Sequence, residues 1–146
     1  MVLELARETI QKTIPFSEFL FPSLEDSIIL SELTEQTDIV EYYLKNVAKL
    51  VELKLGSEGV LIANIASCHK INGKIVETVD ANGAGVNFNG AFLSERLRHG
   101  NPLESAQYAN AAAALSTTGI GAVEPIPDRL DVENFLKSSS NQVCKS

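Results

Sequence analysis

Asp80-Ala81-Asn82-Gly83-Ala84-Gly85-Val86-Asn87-Phe88-Asn89-Gly90-Ala91-Phe92-Leu93 is the stretch from which the fold is read. The β-rich segment Lys74 to Val79 predicts a strand running into it, and an amphipathic helix is expected to grow out of it. Gly83 and Gly85 let the backbone take positive φ or approach a ligand closely. The helix begins with N–H groups that lack an intrahelical acceptor, at the positive end of its dipole. Strand, small-residue turn and helix start together make an anion site, most often for phosphate. The competing reading is that the glycines only shape a tight strand-to-helix turn. Two better-known motifs are excluded. Gly83, Gly85 and Gly90 do not fit G-x-G-x-x-G, and no Lys-Ser or Lys-Thr follows a glycine as a P-loop requires.

The chain has 146 residues, enough for one domain with a substantial core. Apolar content of 45% with 21% charged residues is ordinary for a soluble globular protein. A net charge of −7 argues against general nucleic-acid binding, because no basic surface is available to displace counterions. Cys68 and Cys144 lie far apart without C-x-x-C or metal spacing, so free thiols in a reducing compartment are expected. Neither His69 nor His99 has a second ligand at helical or strand spacing, which argues against a metal site at either. No secretory signal opens the chain and no apolar stretch reaches membrane-spanning length. A cytoplasmic protein with no membrane or nucleic-acid partner is the expectation.

Outward from the glycine turn, apolar residues at helical intervals predict a helix over Val2 to Ile14, stopped by Pro15. Glu18 to Phe21 suits a short buried strand. Ser23 is a candidate N-cap for a helix over Leu24 to Leu33, with Asp26 in capping-box position. Asp38 can cap a helix over Ile39 to Ala48. Leu50 to Leu55 and Val60 to Ala63 are strands around the glycine-bracketed turn Gly56-Ser57-Glu58-Gly59. Asn72-Gly73, between Cys68 to Ile71 and Lys74 to Val79, is a strong hairpin signal. The helix after the glycine turn reaches about His99, with Gly100 at C′ and Asn101-Pro102 opening the next helix to about Thr117. That helix carries Ala109-Asn110-Ala111-Ala112-Ala113-Ala114, small enough for close approach by a neighbouring element. A second small-residue loop, Thr117 to Ala122, leads through Pro125-Ile126-Pro127 to a last helix, Asp131 to Lys137. Residues 138–146 are a polar tail on a domain of residues 1–137. Alternating helices and strands with one hairpin indicate an α/β fold.

Four stretches, in order, carry a resemblance. Asp80 to Leu93 resembles the second signature of the ribokinase-like (PfkB-type) carbohydrate kinases, whose usual form is Asp-Thr-x-Gly-Ala-Gly-Asp followed by a helix. Leu53 to Gly59 resembles the family's nucleotide-side strand and glycine turn. Tyr108 to Ala114 resembles its helix beside the adenine, and Gly121 to Pro127 its closing loop. Within the family, ketodeoxygluconate kinase and fructokinase-like members are most similar. The resemblance implies a three-layer α/β/α, Rossmann-like sheet and transfer of the ATP γ-phosphoryl group to a sugar or sugar-acid hydroxyl. It implies that the N–H groups of Gly83, Ala84 and Gly85 hold phosphates, stabilised by backbone dipoles and Mg²⁺. It implies that Lys54, Gly56, Ser57, Gly59 and Asn110 border the nucleotide. Asp80 and Asn82 would fall in a monovalent-cation region (K⁺ in many members). Ser23 and Asp26 occupy the places of an Asn-x-x-Glu pair that organises Mg²⁺ and its waters.

Two departures modify those expectations. Val86 stands where the family has its catalytic Asp, and valine has no lone pair with which to accept the proton of an attacking hydroxyl. Loss of a positioned base costs about 10²–10⁴-fold in rate, or roughly 3–5 kcal/mol of barrier. Family members are also about twice as long, and the resemblance covers only their C-terminal half. A truncated chain, with Met1 an internal start, is therefore expected. It would have little activity alone and an exposed sheet edge that a second chain could cover. A non-catalytic nucleotide- or partner-binding module and a nonfunctional fragment are the alternatives.

Overall fold

The computed structural model describes residues 2–46 and 49–141. Cys144, the end of the polar tail and the end of the helix expected up to Ala48 fall outside the described residues. The chain divides into two compact units, Met1–Gly56 with Val60–Lys70, and Ser57–Gly59 with Ile71–Ser146.

In the first unit, α1 (Val2–Thr13) passes into a short 3₁₀ turn at Ile14–Phe16, where Pro15 withdraws an N–H from the helical ladder. β1 (Phe19–Leu20), α2 (Leu24–Ser31), α3 (Gln36–Lys45), β2 (Leu50–Lys54) and β3 (Gly59–Ala63) follow, with β4 (Cys68–Asn72) completing the sheet order β1-β2-β3-β4. β1 pairs parallel with β2, and β2 antiparallel with β3, setting Glu52 opposite Ile62 and Leu53 opposite Leu61. Alternate residues of β2, Val51 and Leu53, join Ile14, Ile39, Val40 and Tyr43 in the apolar core. Tyr43 is buried but not orphaned: its hydroxyl donates to Ser27 Oγ at 3.1 Å. α2 is capped as its sequence predicts, with Ser23 Oγ accepting from the Asp26 N–H. α3 begins three residues before the predicted Ile39, after Glu35, because the first-turn carbonyl of Glu35 already accepts from Ile39 N–H.

In the second unit, α4 (Ala84–His99), α5 (Pro102–Ser116) and α6 (Arg129–Asn141) pack through small residues. Ala111, Ala112 and Val132 are buried, with Ala91, Tyr108, Leu115 and Phe135 against them. Alanine on the facing surfaces lets helix backbones approach closely. Gly100 closes α4 in the left-handed region at φ 73°, and the Asn101 side chain accepts from the N–H groups of Leu103 and Glu104 to start α5. α6 starts earlier and runs longer than the predicted Asp131 to Lys137. No helix among the described residues is long and apolar enough to cross a membrane.

The hairpin expected at Asn72-Gly73 does not form. A two-residue I′ turn needs positive φ at both central residues, and neither residue has it. Gly73 N–H instead donates to Glu58 O at 2.9 Å, and Asn72 O accepts from the Asn110 side chain. Residues 74–79 consequently carry no strand. β2 and β3 do pair antiparallel, turned through Gly56 (φ 60°) and Gly59 (φ 108°). Of the two glycines expected to need positive φ at the start of α4, only Gly83 has it, at 77°. Gly85 lies in regular helix.

One residue of β2 opposes the fold locally. Glu52 is fully buried, and neither of its carboxylate oxygens has a hydrogen-bond partner. Burial pushes its carboxyl up to about 9, against the weaker opposite pull of the Lys54 charge. Folding near neutral pH therefore takes up a proton. The group's contribution to stability is greatest below pH 4.5 and is lost as pH rises toward 9. Between pH 4.5 and 7 the loss is roughly 3 kcal/mol. Urea denaturation of Glu52→Gln, which cannot ionise, is expected to show its advantage over the wild type widening by that amount across the interval. A constant difference would mean that Glu52 is ionised in the fold.

The glycines at the start of α4 give a second test. A Cβ at Gly83 would lie 2.7 Å from Ala122 Cβ, on backbone that L side chains rarely adopt. Gly83→Ala is expected to cost about 1–3 kcal/mol. Gly85→Ala, on helical backbone, is expected to raise stability by up to about 1 kcal/mol. Equal midpoints for the two variants in thermal denaturation would contradict this assignment.

Candidate functional site

The turn leading into α4 is held by backbone and by one carboxylate. Val79 and Asp80 both donate their N–H groups to Thr117 O, at 2.8 and 3.1 Å, and the Thr78 and Thr117 hydroxyls lie 3.4 Å apart. Asp80 Oδ1 accepts from Asn82 N–H at 3.0 Å, and Oδ2 from Gly121 N–H at 2.9 Å. These backbone donors, Asn82 first, hold the Asp80 carboxyl below the usual range. One side chain thereby joins the 80–83 turn to the 117–122 loop, and Ala122 rests directly against Gly83.

Gly83 is the N-cap of α4 and has no side chain with which to cap it. Asn87 N–H makes the first regular helical bond, to Gly83 O at 2.9 Å, and Ala84 N–H makes a longer one to Ala81 O at 3.3 Å. Gly85 and Val86 follow in the first turn, where N–H groups have no intrahelical acceptor. Both residues are exposed, Val86 to 76%. A helix mouth with uncapped donors, exposed residues and the positive end of a dipole can take anionic oxygens without any charged side chain.

The other predicted residues fall into two groups. In the second unit, Gly59 sits where a Cβ would meet Ile71 O at 2.0 Å, and a Cβ at Gly73 would meet Ser57 O at 1.8 Å. Backbone is thus stacked on backbone beneath the Ser57–Gly59 part of the turn. Asn110, buried on α5, donates its amide to Asn72 O at 2.8 Å. In the first unit, Ser23, Asp26 and Lys54 line a recess of about 350 Å³ whose other walls include Ile14, Leu20 and Tyr43. Ser23 Oγ donates to Asp26 Oδ2 at 2.7 Å, so the pair serves the start of α2. Partial burial lowers the Lys54 ammonium, opposed by Asp26 and then Glu52. Gly56, also in this unit, has open space where a Cβ would stand, despite its φ of 60°.

Several contributors carried no sequence signal. Thr117 acts through its carbonyl and Gly121 through its N–H, which any residue offers. Asn87 donates its amide to Ala112 O at 3.2 Å. Arg129 bonds Glu95 at 2.5 Å and lies over the Tyr108 ring at 5.2 Å, fastening α6 to α4 and α5. His99 lies 3.6 Å from Glu95, at the end of α4. Among the described residues no group of three or more His, Cys, Asp or Glu side chains is arranged to hold a metal ion.

Comparison with known proteins agrees with this architecture. The chain is 35% identical over 137 residues to Bacillus subtilis ribokinase, covering 90% of this chain and 43% of the relative. The crystal structure of Thermotoga maritima ribokinase superposes with a TM-score of 0.81 at 34% identity, covering 87% of this chain and 44% of that one. A Vibrio cholerae fructokinase double mutant, solved in a fructose, ADP and potassium ion bound form, gives a TM-score of 0.82 at 26% identity, covering 89% and 44%. The chain therefore spans less than half the length of these relatives, and its α/β fold is ribokinase-like. Residues 2–129 match the model of the pfkB family of carbohydrate kinases, and the chain belongs to that family.

Proposed function

We propose that this chain is the phosphate-gripping part of a sugar kinase, and that Val86 leaves it without the base that phosphoryl transfer needs. The observation that carries the reading is the uncapped start of α4, where Gly83 supplies a turn and no competing oxygen. The N–H groups of Gly83, Ala84 and Gly85 would hold the phosphates of ATP, and Ser57, Gly59 and Asn110 would border the nucleotide. Asn110 would do so through the Asn72 carbonyl it already supports.

The donor sets differ among the implied groups. A polyphosphate suits backbone N–H groups at a helix mouth. Within the first unit, Asp26 keeps one carboxylate oxygen that Ser23 does not occupy, a donor of the kind that Mg²⁺ takes. When bound, Mg²⁺ would neutralise charge developing on the phosphates. Each Asp80 carboxylate oxygen accepts one backbone N–H and keeps a second lone pair, so a K⁺ beside Asp80 and Asn82 would be compatible with the part Asp80 plays in fixing the turn.

For the reaction itself, an acceptor hydroxyl must lose its proton near residue 86. Val86 has no atom to receive it, and Asn87 and Asn89 are amides, which are very poor bases near neutral pH. The valine at position 86, with no neighbouring base to replace it, favours a second reading, a module that holds nucleotide without turnover. Sugar contacts would come from polypeptide beyond this chain, whose edge strand β1 offers a place to pair.

Calorimetric titration with Mg²⁺–ATP is expected to show binding that Gly85→Asp abolishes. With ribose or fructose as acceptor, any sugar-dependent ADP release in Val86→Asp is expected to exceed that of the wild type by at least about 10²-fold, and no gain in Val86→Asp would assign the inactivity to the missing sugar contacts. Sugar-dependent ADP release by the wild type at an ordinary kinase rate would overturn the reading.

A further inference from the structure

We propose that Asn87 is the positioning residue that fixes how the first turn of α4 faces a bound phosphate. This rests on the phosphate-gripping reading above and assigns its orientation to a side chain. The first turn of α4 is intrinsically weak. It has no side-chain cap, it begins at a glycine in the left-handed region, and Gly85 lies within it. Glycine is less favourable than alanine inside a helix, and helix ends fray where N–H groups have no acceptor. A turn of this composition keeps its direction only if something outside it holds it.

Two kinds of contact reach it. Asp80 and Ala122 hold the approach, up to Gly83. Buried Phe88 and Phe92 and the Glu95–Arg129 bond hold the helix against rotation about its own axis, so beyond Gly83 the freedom left is unwinding of the first turn. Asn87 is placed to prevent it. Its backbone N–H bonds Gly83 O, closing the first helical ring. Its side-chain amide bonds Ala112 O in the middle of α5, a different element. The next residue, Phe88, is buried and continues the attachment by packing. One residue thus connects the ring that contains Gly83, Ala84, Gly85 and Val86 to the rigid, alanine-rich helix beside it. Because Asn87 follows Val86 directly, its side chain points away from the exposed face where Val86 lies, as the 100° step of a helix requires.

The test uses Asn87→Leu, which matches asparagine in number of side-chain heavy atoms and in branching at Cγ and has no donor. Asn87→Asp is unsuitable because its charge would repel phosphate directly. Tripolyphosphate and Mg²⁺–ATP are titrated calorimetrically against wild type and variant, and amide hydrogen exchange is followed without ligand. Loss of one partly buried hydrogen bond predicts about five- to tenfold weaker tripolyphosphate binding. Exchange at the Asn87 and Phe88 amides should quicken by a similar factor, with Phe92 to Glu95 unchanged. A purely structural role would instead lower protection along the whole of α4. Unchanged exchange in the first turn would overturn the proposal whatever the affinity. Unchanged affinity in a wild type that binds would overturn it too. If neither protein binds while the first turn alone loosens, the phosphate reading has failed and the tie made by Asn87 stands.

Discussion

The carboxylate of Asp80 accepts one N–H from its own turn and another from a loop far along the chain, and the start of α4 takes its shape from that pair of bonds. A charged acceptor makes stronger bonds to N–H donors than a neutral one, so the two loops are joined more firmly than backbone contacts alone would join them. Thr117 adds to this by receiving two successive N–H groups on one carbonyl. α5 then serves as the common support. Thr117 at its C-cap holds the entry to the glycine turn, Ala112 in its middle receives Asn87, and Asn110 supports Asn72 beside the Ser57–Gly59 turn. The alanine run of this helix is what permits the arrangement, because larger side chains would hold α4 away and put the Asn87 amide out of reach.

Features set by local chemistry were legible in the sequence. Ser23 with Asp26, Asn101 with Pro102, and Gly100 each mark a helix end by a side chain or a φ preference, and each does so in the structure. Features set by tertiary contact were not. Asn72-Gly73 has the composition of a hairpin turn, but its polar groups have better partners in Glu58 and Asn110, which no window of local sequence contains. Gly85 and Gly83 look equivalent as letters, and only the position of Ala122 and the onset of the helix separate them. Much the same holds for the candidate site. Its four ordered motifs could be read, whereas the carbonyl of Thr117 and the N–H of Gly121 have no residue type to betray them.

Glu52 shows the same limit from the side of energetics. Leu50-Val51-Glu52-Leu53-Lys54-Leu55 alternates like a strand with one wet face, yet every residue of β2 except Lys54 is buried. A carboxyl in that position is neutral in the fold rather than paired, since a lone buried carboxylate costs more than protonating it. Lys54 does not rescue it, for its own ammonium is weakened by burial. The unfavourable proton uptake is tolerated only because Val51, Leu53 and their core neighbours provide compensating burial on the same strand.

The division between backbone and side chain bears on how binding and chemistry can separate in such a fold. On the proposed reading, phosphate is held by N–H groups whose presence does not depend on which side chain occupies position 86. Valine there removes a base, worth about 10²–10⁴-fold in rate, and leaves every backbone donor in place. It also removes a negative charge from the mouth of a helix that receives anions, and like charges in such a place disfavour one another. Affinity for the nucleotide would then be preserved or increased as turnover falls. A side chain that catalyses is therefore more easily lost from this architecture than the grip itself, which would require displacing Asp80, Gly83 or the attachment of α4 to α5.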